Sequence, residues 1–208
     1  MIALDFFNSP WPGLAAWIIL YISDYYLTLH CARLYRSGVN QTIVFEGSYE
    51  LTPYFQKDID SLKILSPRFV FALLLSAFWL VGIWWIGGQS LSALYKCALG
   101  AMILIEATIH IRHVRNLFLF RAILRGKSVR GSIEYSRPVV LRLSFVELLA
   151  FAALFAMLFV FTRSWFVLGG VLACLSTSIK HFKLAKNCQS SFSTRSGGCD
   201  AQSREPNA

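Results

Sequence analysis

Charge is scarce in this chain. Only 15% of its 208 residues are Asp, Glu, Lys or Arg, against about 25% in an ordinary soluble domain, and the mean hydropathy is +0.54. Paired cysteines are missing too. Cys31, Cys97, Cys174, Cys188 and Cys199 contain no Cys-x-x-Cys pair and no zinc-finger spacing, and their odd, scattered number favours unpaired thiols over a disulfide framework. Met1 to Asp5 lacks the positive n-region of a cleaved signal peptide, so the first apolar block reads as a retained helix. There is no internal repeat at a fixed period, and no His-Glu-x-x-His motif.

What the chain has instead is apolar sequence in long blocks. Crossing a bilayer takes about 20 consecutive apolar residues, and five blocks approach or exceed that length, at about 12–32, 69–86, 91–111, 139–162 and 165–182. The expected fold is therefore all-α: a polytopic membrane bundle of five transmembrane helices spanning 1–186. Five spans argue against the simple inverted repeat of many transporters. The 17 Phe, 8 Tyr and 6 Trp suit lipid-facing helices with aromatic belts. From 187 to 208 the sequence is Ser-, Gly- and polar-rich and reads as a disordered tail.

A formal charge of +9 raises the question of a nucleic-acid partner. The basic residues follow topology instead. Eighteen of the 20 Lys and Arg fall between blocks one and two, between blocks three and four or in the first turn of block four, or at the end of block five and beyond, leaving Lys96 and Arg163. Positive-inside sorting then sets the N-terminus outside and the C-terminus in the cytoplasm, N-out/C-in. The basic stretch from Arg112 to Arg142 faces anionic lipid headgroups in this reading, and no nucleic acid is expected. Lys96, in the outer half, can snorkel upward and is given no role. Between blocks one and two, Thr52-Pro53 resembles a helix start. Phe55, Ile59 and Leu62 then recur at helical spacing, so an amphipathic helix over about 53–65 is expected on the cytoplasmic face.

Ionisable groups within spans are costly and mark interior pairs or functional sites. Here they are Asp24, Lys96, Glu106 and Glu147, with His30, His110 and His113 near the cytoplasmic helix ends. At 1.5 Å per residue, Asp24 and Glu147 lie roughly 12 Å above the inner boundary and Glu106 roughly 6–9 Å above it. Three carboxylates from three helices thus share one layer, at the depth also reached by Ser176, Thr177 and Ser178. The run Glu106-x-x-x-His110-x-x-His113 sets a carboxylate and two imidazoles on one helical face. Glu106, His110, His113 and Asp24 form a candidate ligand set for a divalent transition metal. Glu106, Glu147 and Asp24 are the candidate catalytic carboxylates. The same face suits a proton relay. Simple structural pairing is the third reading: Glu106 with His110, Glu147 with Arg142, Asp24 with Ser or Thr hydroxyls, and His113 among the headgroups.

Asp24-Tyr25-Tyr26-Leu27-Thr28 followed by Glu50-Leu51-Thr52-Pro53 resembles a pattern in small multi-pass bacterial membrane proteins of unknown function. These combine an Asp-x-x-x-Thr first helix with a Glu-x-Asn-Pro segment. Thr52 stands where asparagine is expected, and the match covers about the first third of the chain. The resemblance implies that Asp24, Thr28 and Glu50 belong to one site near the cytoplasmic surface, in a bacterial inner-membrane protein. Three functions remain open on the sequence: a metal-assisted membrane enzyme acting on a lipid or another hydrophobic substrate, a small transporter or proton-coupled carrier, and a non-catalytic assembly subunit. A homo-oligomer is compatible with all three, and a carrier would need one large enough to form a path.

Overall fold

The computed structural model describes residues 9–47, 50–87, 92–126 and 131–199. Its helices are α1 (Pro10–Arg36), α2 (Gln56–Asp60), α3 (Pro67–Gly87), α4 (Ser92–Leu124), α5 (Arg137–Thr162) and α6 (Trp165–Cys199). All but α2 are long and apolar enough to cross a membrane, so the chain is an all-α polytopic bundle. Two short strands, β1 (Ile43–Phe45) and β2 (Ile133–Tyr135), complete the fold.

The long helices start and stop where their sequence directs. Ser9 is extended at the N-cap of α1 and Pro10 occupies the first helical position, where a missing N–H costs nothing. Arg33 and Arg36 sit in its last turn, against the negative end of the helix dipole. At α5 an extended Ser136 precedes Arg137-Pro138. The Glu46 carboxylate accepts the Arg137 N–H at 2.9 Å, tying the first connecting segment to the start of a distant helix. Between α5 and α6, Arg163 takes the left-handed conformation, with φ 51°, and its N–H bonds the Phe159 carbonyl.

α4 is the central helix, in contact with α1, α3 and α6, and α6 packs in turn on α5. In lipid there is little hydrophobic drive between helices, so close approach through small residues supplies the packing. Gly100 of α4 lies directly against the Phe166 backbone, and Gly169 and Gly170 of α6 lie against Cys97 and Leu104. Near the start of α1 and α4, Leu14, Trp17, Leu80, Tyr95, Ala98 and Leu99 form a buried apolar cluster, and the Tyr95 hydroxyl donates to the Pro10 carbonyl at 3.2 Å.

The opposite end is closed by the connecting segments. β1 and β2 pair in parallel, Ile43 with Ile133, Val44 with Glu134 and Phe45 with Tyr135. Beneath this ribbon Cys31, Val39, Ile43 and Phe120 are buried together. The three-residue strands are too short to show a period-2 pattern, and the sequence reading treated both segments as connections. The expected helix over 53–65 contracts to Gln56–Asp60. It ends in a Schellman motif: Leu62 adopts φ 51°, its N–H bonds the Ile59 carbonyl, and the Lys63 N–H reaches the Asp58 carbonyl at 3.0 Å. The apolar positions are as anticipated, with Ile59 buried against Tyr25, Leu29, Ala32 and Phe69, and Phe55 and Leu62 packed alongside. Asp58 anchors the segment. It is buried, accepts the Ser66 hydroxyl at 2.6 Å and pairs with Lys63 at 3.1 Å.

At the C-terminal end, the α6 backbone remains helical past 187 to Cys199, where a disordered tail was expected. Extending an existing helix costs less than nucleating one, and Arg142 holds the Gln189 side chain at 2.6 Å. Residues 200–208 lie outside the described residues.

Candidate functional site

A cavity of about 550 Å³ lies between α1, α4, α5 and α6, at the end covered by β1, β2 and the 50–59 segment. That volume is in the range of small-molecule sites. Its walls are mostly apolar, with Phe45, Phe55, Phe69, Phe120 and Leu148 among them. Its polar side chains come from positions one or two turns apart on each helix: Tyr21, Asp24 and Thr28 from α1, Glu106, Arg112, His113 and Arg115 from α4, Ser144 and Glu147 from α5, Thr177 and His181 from α6. The i, i+3, i+4 spacing of a helix makes this convergence possible.

Asp24, Glu106 and His110 each offer an oxygen or nitrogen ligand atom, and these atoms all lie within 4.8 Å of one another. The His110 ring is set by its own helix, because Nδ1 lies 2.7 Å from the Glu106 carbonyl oxygen. That oxygen can only accept, so Nδ1 donates to it, and Nε2 is the ring atom left for a ligand or for the Ser23 hydroxyl. Metal-binding histidines are held in this tautomer by the same kind of second contact. Nε2 is 2.6 Å from the Ser23 hydroxyl, which also reaches the Leu20 carbonyl at 2.9 Å. Asp24 Oδ1 and Glu106 Oε2 are buried and, among the described residues, have no hydrogen-bond partner. Leaving such atoms unsatisfied is costly.

A second group of charges faces the first. Glu147 is held by two guanidiniums from α4, with Arg112 Nε at 2.8 Å and Arg115 Nη1 at 3.0 Å. Arg112 Nη2 is buried and unpartnered among the described residues. His113 Nε2 lies 3.0 Å from the Thr28 hydroxyl and 3.3 Å from Asp24 Oδ1, while its Nδ1 is buried without a hydrogen-bond partner among the described residues. His181 Nδ1 meets the Ser144 hydroxyl at 2.8 Å. Glu50 sits at the mouth. Its carboxylate accepts the Thr52 N–H at 2.7 Å and its carbonyl accepts from Gln56 at 2.9 Å. Burial pushes the Glu50 carboxyl above the usual carboxylate range, a rise partly offset by the Thr52 N–H.

The sequence-derived residues sort as follows. Asp24, Glu106 and His110 come together. Thr28 and Glu50, paired with Asp24 by the resemblance, line the same cavity. His113 is buried beside Asp24, in place of the headgroup position the pairing alternative gave it, and it stands outside the three-ligand cluster. Glu147 lines the cavity, but its partners are Arg112 and Arg115, and the expected Arg142 bonds Gln189 instead. Arg142 and Glu147 are five residues apart on α5, about 140° round the helix, so they point to different faces, whereas Arg112 and Arg115 reach Glu147 from α4. His181 and Ser144 meet across α5 and α6 with no motif in the sequence that pairs them. The spacing of Thr177 and His181 on the last span, one turn apart, was the available signal. Family models, curated proteins and solved structures were all compared with this chain, and none of them matches it.

Proposed function

We propose that this protein is a membrane enzyme that binds a divalent transition metal at Asp24, Glu106 and His110 and acts on a lipid or another hydrophobic substrate from the cytoplasmic side. The carrying observation is the close meeting of three ligand groups from two helices, with a buried Glu106 oxygen that has no hydrogen-bond partner among the described residues and an Asp24 oxygen whose neighbour is His113 Nε2 at 3.3 Å. The distribution of Lys and Arg supports an N-out/C-in orientation, and the resemblance favours a bacterial inner membrane. In this orientation the cavity opens towards the cytoplasm and its basic rim meets anionic headgroups.

Such an ion lowers the pKa of a bound water towards neutrality. A water activated there would attack an ester-type centre of a substrate held in the cavity. The bond to the leaving oxygen breaks, and the proton taken from water ends on that oxygen, with Glu50 placed at the mouth to pass it. The overall reaction consumes one water and one ester and releases an acid and an alcohol. Proton-coupled transport is the reading less favoured, because a path through the outer half would have to cross the closed apolar cluster of Leu14, Trp17, Leu80, Tyr95 and Leu99.

The test is elemental analysis of protein purified in mild detergent, beside Glu106→Gln and His110→Ala. Near-stoichiometric zinc, manganese or iron in the wild type and its loss in both variants is the expected result. Metal absent from all three proteins at equal stability, even after incubation with these ions, overturns the reading and directs attention to proton flux.

A further inference from the structure

We infer that the substrate's polar end is a phosphate group, bound between the Asp24–Glu106–His110 ion and Arg112, with its acyl chain in the apolar part of the cavity. This rests on the metal reading above and adds to it the chemical class of the ligand.

Two observations carry it. The first is Arg112. Its Nε is engaged by Glu147 at 2.8 Å, while its Nη2 is buried with no acceptor among the described residues. A guanidinium has only donors, and a second oxygen on this fork would satisfy the remaining one. Phosphate and carboxylate oxygens are the groups whose geometry fits that fork. Arg115 holds the other Glu147 oxygen at 3.0 Å, so Glu147 keeps a partner when Arg112 turns towards a ligand.

The second observation is charge. The cavity is lined by the carboxylates Asp24, Glu50, Glu106 and Glu147 against the guanidiniums Arg112 and Arg115. Fully ionised, these groups would carry an excess of negative charge, a state that burial disfavours without a counter-ion. A divalent ion cancels that excess, and an anion can then approach both the ion and Arg112. Phosphate held by both the ion and Arg112 is therefore coupled to the metal, and the coupling is reciprocal. A neutral headgroup would show no such dependence. The aromatic and aliphatic walls formed by Phe45, Phe55, Phe69 and Leu148 call for an apolar tail, which inorganic phosphate lacks.

The experiment is a set of binding isotherms on full-length protein in a neutral maltoside detergent. Mn²⁺ is titrated alone. Didecanoyl phosphatidate, didecanoyl glycerol and inorganic phosphate are then titrated with and without saturating Mn²⁺. The variants are Glu106→Gln and Arg112→Lys, the latter keeping the charge and losing the fork. Phosphatidate is expected to bind only with Mn²⁺, more tightly than either control, and roughly tenfold to a hundredfold more weakly in Arg112→Lys, the equivalent of one charge-assisted hydrogen bond. Retained Mn²⁺ affinity in Arg112→Lys reports that this variant is folded. If Mn²⁺ binds but phosphatidate and didecanoyl glycerol bind alike, the phosphate inference fails and the metal reading stands. Equal binding of inorganic phosphate overturns the amphiphile. Absence of Mn²⁺ binding in the wild type overturns both readings together.

Discussion

Alanine at position 169 places a methyl carbon in the path of the α4 backbone: it overlaps the Cys97 carbonyl oxygen and lies 2.6 Å from the Ala101 amide nitrogen. Neither atom can yield, since both belong to a helix locked by its own hydrogen bonds. α4 and α6 must therefore part by roughly 1 Å, a gap that forfeits a quarter to a half of the dispersion energy of the atoms it separates. Overpacking of this kind costs about 1–3 kcal/mol. Gly100→Ala meets the same obstacle from the other side, with its Cβ 2.6 Å from the Phe166 carbonyl carbon. Gly82 provides the internal control, because a Cβ there touches nothing within 4 Å. Alanine at 82 keeps its helix-propensity advantage of up to about 1 kcal/mol. Denaturation of the three variants in bicelles, followed by circular dichroism, should place Gly82→Ala at or above the wild type and the other two clearly below it. Gly169→Ala as stable as Gly82→Ala would refute the idea that glycine contact sets the α4–α6 spacing. The spacing also shapes the cavity, because α4 carries Glu106 and Arg112 and α6 carries Thr177 and His181 on its walls.

Other expectations concern the charged groups. Glu147→Gln leaves Arg112 and Arg115 without their counter-ion and should cost about 1–3 kcal/mol in thermal or denaturant unfolding, whereas exposed Arg142→Gln should stay within about 0.5 kcal/mol of the wild type. Glu46→Ala removes the acceptor of the Arg137 N–H and should cost about 0.5–2 kcal/mol, as loss of a helix cap does. The Ser66 hydroxyl, with help from Lys63 and Arg68, holds the Asp58 carboxyl below its usual range. A depressed carboxylate pKa contributes stability that is present above the unfolded-state value and is lost as pH falls through the folded one. The melting temperature should therefore drop on acidification below about pH 4, and Asp58→Asn should flatten that part of the profile. A wild type and Asp58→Asn with identical acid limbs would remove Asp58 from the account.

Much of this architecture is legible in the chain because a bilayer imposes one-dimensional rules. Each span must be long, apolar and helical, so the five helices follow from counting residues. The face shared by Glu106 and His110 follows from the helical repeat alone. Charge sorting is read locally along the sequence too, and it supports the proposed N-out/C-in orientation. The apolar face of Phe55, Ile59 and Leu62 was visible too, although the Schellman turn at Leu62 cuts that helix to Gln56–Asp60.

Partnership could not be read this way. Whether Glu147 meets Arg142 on its own helix or Arg112 and Arg115 on another depends on how α4 and α5 rotate about their axes, and rotation is set by packing over the whole bundle. The same rotation separates His113 from the Asp24–Glu106–His110 cluster and brings His181 to Ser144. The β1–β2 ribbon joins segments some ninety residues apart, and strands of three residues leave no periodic trace. Composition and periodicity by themselves determined that this is a five-span helical membrane protein with carboxylates and imidazoles in one layer. Tertiary structure alone decided which of those groups touch, because contact between helices depends on relative rotation and spacing, and neither quantity is written in any single segment.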